Sequence, residues 1–169
     1  MNKLIKIGAV CAAIFCANSA NAQIIGSSAI YVEGGANINS GFSVSTGFEK
    51  VQSQLFKYDI GVNFNNTSNK MLTTKEFSLA PGFFLGSSVG RFNFSVGALP
   101  RIGFKTTKVS DSEFIVNNQN GFLFALGAMP KIEYYLGKIG IYVGYTYSYS
   151  FNAPIKNSNI INLGTKIYL

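Results

Sequence analysis

The chain has 169 residues, 47% hydrophobic and 12% charged, with 18 glycines, nine tyrosines, fifteen phenylalanines, no tryptophan and no histidine. Without histidine, Ser-His-Asp hydrolysis, Cys-His proteolysis and most zinc hydrolysis are excluded. The length allows one domain with a real core, and low charge with high glycine and aromatic content fits neither a disordered chain nor a helical bundle.

Residues 1 to 22 read as a secretory signal peptide: Lys3 and Lys6, an apolar stretch from Ile7 to Phe15, then Ala20-Asn21-Ala22 as a small-x-small cleavage site before Gln23. Cleavage is expected between Ala22 and Gln23, leaving the domain 23 to 169. The apolar run is too short to span a bilayer as a helix. Both cysteines, Cys11 and Cys16, lie inside the leader, and Phe15 before Cys16 disfavours lipidation. The mature chain is thereby without disulfides, thiol chemistry or Cys metal sites. Its excess of basic residues is scattered rather than clustered, and an exported chain rarely meets nucleic acid, so direct nucleic-acid binding is not expected.

From Ile30 onward polar and apolar residues alternate. In QLFKYDIGVNFN, Phe56, Tyr58, Ile60, Val62 and Phe64 share one face, and Lys57, Asp59, Gly61, Asn63 and Asn65 share the other. Successive strand side chains point to opposite sides, so period two predicts a strand with one apolar face. Eight such runs follow, at 28 to 36, 42 to 50, 54 to 65, 75 to 85, 91 to 106, 120 to 136, 139 to 151 and 159 to 169. Connections at 51 to 53, 86 to 90 and 137 to 138 are short, whereas those around 66 to 74 and 107 to 119 are long and polar. An even number of antiparallel strands behind a signal peptide, with short turns at one end and longer loops at the other, predicts an all-β, eight-stranded up-and-down barrel in the bacterial outer membrane. A soluble sandwich or lipocalin-like barrel also alternates, but it needs a charged exterior. Here the polar face is mostly Gly, Ser and Asn, which suits a narrow filled lumen. Tyr145, Tyr147 and Tyr149 toward the loop end, and Tyr134 toward the other, are the expected outward aromatic girdle, in contact with outer-membrane lipid.

An eight-stranded barrel is just filled by its own side chains, so a plug is expected, not a pore. The inward ionisable residues are Glu33, Lys57, Asp59, Glu76, Arg91, Arg101, Lys105, Lys131, Glu133 and Lys166. Unpaired, they would be costly in a low-dielectric interior, so pairing is predicted. A hairpin about 86 to 90 sets Glu76 nearly opposite Arg101, and Arg91 falls within diagonal reach of Glu133. A proton or ion path is the sharper reading of this network and charge compensation the plainer one. Pro81, Pro100 and Pro130 sit on the outward face of strands, where each forfeits a ladder hydrogen bond. They mark weakened strand pairing or a lateral docking seam. No catalytic constellation, cofactor motif or metal site is found, and GSSVGR at 86 to 91 is a turn rather than a phosphate loop, lacking the lysine and the following helix.

The C-terminal half, through EFSLAPGFFLG, RFNFSVGALPRIGFKT, NGFLFALGAMPKIEYYLGKIGIYV and NLGTKIYL, resembles the small outer-membrane TraO-type proteins of conjugative transposons in the Bacteroides group. The matching positions are Gly127, Ala128, Ile132, Glu133, Tyr135 and Leu136, with Gly164, Lys166 and Ile167 in the closing strand. The resemblance implies a non-enzymatic component of a DNA-transfer apparatus, acting through contacts with other envelope proteins. The alternative is a stand-alone OmpX-like or Opa-like surface barrel whose loops at 66 to 74 and 107 to 119 bind a host or environmental ligand.

Overall fold

The computed structural model describes residues 25 to 38, 40 to 68, 72 to 109 and 119 to 169. The predicted cleavage site at Ala22 and Gln23 lies outside them, as do parts of both long loops. Eight strands form one closed antiparallel barrel, each paired with its neighbours in sequence and β1 with β8. They are β1 Ser28–Asn37, β2 Gly41–Val51, β3 Phe56–Ser68, β4 Leu72–Val89, β5 Phe92–Val109, β6 Gln119–Leu136, β7 Ile139–Ser150 and β8 Asn157–Tyr168.

Alternation in the sequence becomes an inside-out protein. Phe104 is 66% exposed and Leu163 64%, while Glu49 and Glu133 are fully buried. Such an exterior is stable only where the surrounding medium is itself apolar, as around an outer-membrane-type barrel. The outward aromatic residues gather toward the two ends of that surface. On the loop side Phe64, Phe77, Phe104 and Phe122 stand in consecutive register across β3 to β6. Tyr147 is exposed toward the same side of β7 and donates to the Asn157 side chain (3.4 Å), while exposed Tyr145 stands mid-strand and donates to that of Asn159 (2.6 Å). Tyr149 is half-buried against Phe151, with ring centroids 5.3 Å apart. Toward the short-turn end, Tyr134 packs on Phe92 at 4.9 Å.

Two short connections are two-residue turns, Gly90-Arg91 and Gly137-Lys138, between the directly paired residues Val89 and Phe92 and Leu136 and Ile139. Each has positive φ at its glycine alone, +58° and +66°, which is the type II′ pattern that matches strand twist. The β4–β5 turn is therefore tighter than the expected turn at 86 to 90, and Gly86, Ser87 and Ser88 continue β4. This moves the register, so Glu76 stands opposite Lys105 rather than near Arg101. The lumen charges Glu76, Arg101 and Lys105 keep their predicted inward face, and Arg91 leaves it for the turn.

The prolines leave visible gaps. Pro81 and Pro100 face each other across β4 and β5, and no pairing forms between Leu79–Ile102 and Phe83–Ala98. Neither proline has an N–H to offer, so the ladder cannot close there. Pro130 does the same between β6 and β7, where pairing stops at Ala128–Tyr147 and resumes at Lys131–Gly144.

Candidate functional site

The lumen is the only place where this chain concentrates chemistry among the described residues, and it is layered. At the short-turn end Lys166 Nζ donates to both Glu49 oxygens at 2.7 Å and to Glu133 Oε2 at 2.9 Å. Lys131 reaches Glu49 Oε2 at 3.3 Å, and Lys57 lies 3.5 Å from Glu133 Oε2 while donating to Asn93 Oδ1 at 2.7 Å. Tyr168 donates its hydroxyl proton to Glu133 Oε1 at 2.6 Å. Every member of this cluster except Tyr168 is at most a few percent exposed. Buried charges hold such positions only when mutually paired and hydrogen-bonded, as these are.

At the loop end Arg101 Nη1 lies 3.5 Å from Glu76 Oε2, and Arg101 Nη2 donates to Ser148 Oγ at 2.8 Å. Glu76 also accepts from Asn65 Nδ2 at 3.2 Å. The Glu76–Arg101 ion pair forms although the two are not opposite in register, because both side chains turn into the same narrow lumen. Lys105 is buried beside them, directly across from Glu76.

Between the charged layers Phe84, Met129 and Tyr142 form a buried apolar collar, with Leu99 packed against it. Glycine makes this collar possible. A Cβ at Gly97 would meet the Phe84 ring at 2.4 Å, and one at Gly164 would meet the Tyr142 ring at 2.2 Å. Aromatic rings lie flat on these bare backbones, which explains why a face rich in glycine fills a lumen. Lys131 bridges collar and cluster, its ammonium 4.0 Å from the Phe84 ring centroid. A cavity of about 50 Å³ remains beside the collar, room for a few waters. Asp59 Oδ1 and Arg101 Nε line it without a protein partner. Glu33, half-buried, also lines it and accepts from Ser45 Oγ at 3.0 Å.

Nine of the ten predicted inward ionisable residues thus face the lumen, and Arg91 does not. Arg91 is exposed in the β4–β5 turn, because the tight turn at Gly90 leaves it outside the strand. Its expected partner Glu133 is held by Lys166 and Lys57 instead, and Asn93 occupies the position across from it. The sequence reading missed Glu49, the hub of the lower cluster. Next to Lys50 at a strand end, it reads as a rim charge. Its parity with Ser43 and Ser45 was the available signal, since all three point inward.

The arrangement compensates charge. Five lumen cations, Lys57, Arg101, Lys105, Lys131 and Lys166, balance five anions, Glu33, Glu49, Asp59, Glu76 and Glu133. Among the described residues no three potential ligands come together to hold a metal ion.

No family model matches the sequence. No curated protein matches it either. Solved structures do match in fold. The chain is similar to Ail, the attachment invasion locus protein of Yersinia pestis, at TM-score 0.60 and 11% identity, covering 86% of this chain and 100% of that one. It is similar to a major outer membrane protein from Thermus thermophilus at TM-score 0.60 and 12% identity, covering 84% and 99%. It is also similar to Neisserial surface protein A at TM-score 0.55 and 13% identity, covering 83% and 94%. The shared feature is the small outer-membrane β-barrel fold.

Proposed function

We propose that this protein is a non-enzymatic outer-membrane barrel that works through protein contacts, as a component of a conjugative DNA-transfer apparatus. The observation that carries the contact reading is the closed lumen. The Glu49–Lys166–Glu133 cluster, the Phe84–Met129–Tyr142 collar and the Glu76–Arg101 pair fill the lumen with side chains, as expected of an eight-stranded barrel. What cannot pass a solute acts through its outer surface. Nor does the lumen supply a catalyst: its carboxylates are tied to ammonium, guanidinium or hydroxyl groups or enclosed in the barrel, and no imidazole or thiol exists in the mature segment. The transfer apparatus as the setting rests on the resemblance of residues 76 to 169 to the TraO-type proteins.

A second reading, a surface barrel binding a ligand through its loops, is favoured by the height of one wall. β4, β5 and β6 have 18 residues each, against 10 and 11 in β1 and β2. At about 3.3 Å per residue and 45° tilt, 18 residues rise roughly 40 Å, well beyond an apolar band of about 25 Å.

Gentle purification from native outer membranes separates the two. Stoichiometric recovery with other envelope proteins of a mobile element supports the apparatus reading. Recovery as a lone barrel, from cells that are transferring DNA, overturns it in favour of the loops.

A further inference from the structure

The proline gap between β6 and β7 opens on the lipid side into a groove of about 510 Å³. Phe94, Ile132, Val143, Tyr145 and Ile161 line it, with Pro130 at the unpaired step and Gly144 where pairing resumes. Behind this face, on the lumen side, Gly144 lies against Met129, whose terminal methyl a Cβ at Gly144 would meet at 2.5 Å. The groove is a notch floored by the backbone at the Pro130 break in the ladder, and the flexible Met129 stands behind that floor in the lumen.

Depth and charge identify an occupant. Pro130 lies six residues from the end of β6 at Leu136, about 14 Å along the membrane normal at 45° tilt, and one leaflet of hydrocarbon is about 15 Å thick. The notch thus sits where the chain of a lipid in the short-turn leaflet ends. Below it, at the height of the phosphates, are the two exposed turn cations Arg91 and Lys138. Neither forms an ion pair among the described residues. Arg91 is pinned beside β6, its carbonyl accepting from Tyr135 N–H at 2.9 Å, and the Phe92–Tyr134 ring pair stands between the cations and the notch. No described Asp or Glu side chain faces outward on the barrel to oppose an anion.

We infer that this face holds one phospholipid of the periplasmic leaflet, its phosphate between Arg91 and Lys138 and one hydrocarbon chain seated in the Pro130–Gly144 notch. The inference assigns a role to Arg91, which the lumen does not use, and to the β6 proline. It does not depend on the transfer-apparatus reading.

The test is native mass spectrometry of the folded barrel in detergent, given dipalmitoyl phosphatidylglycerol at low molar excess, with folding checked by gel mobility. The expected result is one retained lipid per barrel. R91Q/K138Q lowers the occupied fraction at least fivefold, and so does V143W, which fills the notch while keeping it apolar; I161W serves if V143W fails to fold. K75Q/K108Q, which removes equal charge at the loop end, leaves occupancy unchanged. Equal loss in both double variants overturns the inference in favour of charge attraction alone. Full retention in the notch-filled barrel, or no retained lipid in the unaltered one, overturns it as well.

Discussion

Replacing Glu49 by Gln is the sharpest perturbation of the lumen. The substitution keeps shape and removes one negative charge from a site where Lys166 contacts both carboxylate oxygens at 2.7 Å and Lys131 one of them at 3.3 Å. Lys57 and Lys166 then share Glu133, Lys131 loses its ion pair, and the balance of five cations against five anions is lost. Removing one partner of a buried ion pair costs about 3–5 kcal/mol, mainly because the other charge stays desolvated. E49Q is therefore expected to lower the unfolding free energy in phospholipid vesicles by that amount, read by urea titration of the folded band on cold gels. K166M destabilises for the mirror-image reason. The pair E49Q/K166M restores neutrality and should recover at least half the loss, a coupling of about 2 kcal/mol or more. If E49Q costs under about 0.5 kcal/mol, or if the two substitutions add without coupling, the cluster is not what holds the lower lumen together.

The remaining expectations address the other layers. V96R, on the lipid face of β5 below the midplane, should cost about 2 kcal/mol in folding, and tolerance would mean that this face does not meet lipid. G97V forces the Phe84 ring off its seat and should destabilise by about 1–3 kcal/mol, with recovery when Phe84 is trimmed to Leu; no recovery would refute the ring-on-glycine account. R101M should be rescued in part by E76Q, and a double-mutant cycle without coupling would remove that pair from the account. In planar bilayers E49Q alone should remain closed, because the Phe84–Met129–Tyr142 collar lies in series above it; stable ion currents would show that the charged cluster is the sole barrier.

Strand number, order and facing were legible because period-two alternation is a local property of sequence, and one buried face makes it strict. Register was less so. The run Gly86-Ser87-Ser88 has turn composition, yet the chain turns at Gly90, where a single positive φ makes a tighter hairpin. That choice is worth little energy locally and is made by the pairing of whole strands. It relocates Arg91 to the membrane edge and sets Glu76 across from Lys105. Glu49 was overlooked because its partners, Lys131 and Lys166, are 82 and 117 residues away in the chain. A pair of that separation leaves no local trace, whereas Glu76 and Arg101 on adjacent strands do.

The distribution of charge gives the lumen and the exterior separate tasks. The seven acidic residues of the chain are five in the lumen and two, Asp111 and Glu113, outside the described residues. The five lumen acids equal the five lumen bases in number, so the barrel interior takes nothing from the net positive charge of the chain. Among the described residues the other cations stand on the exterior, at Lys50, Arg91 and Lys138 toward the short turns and at Lys75, Lys108 and Lys156 toward the loops. A neutral, internally paired lumen avoids the desolvation of an unmatched charge, while cations at both edges of an apolar band meet the phosphates that bound a bilayer. The exposed cations therefore bias the surface toward anionic groups at either membrane face, whereas the lumen charges are enclosed by the barrel.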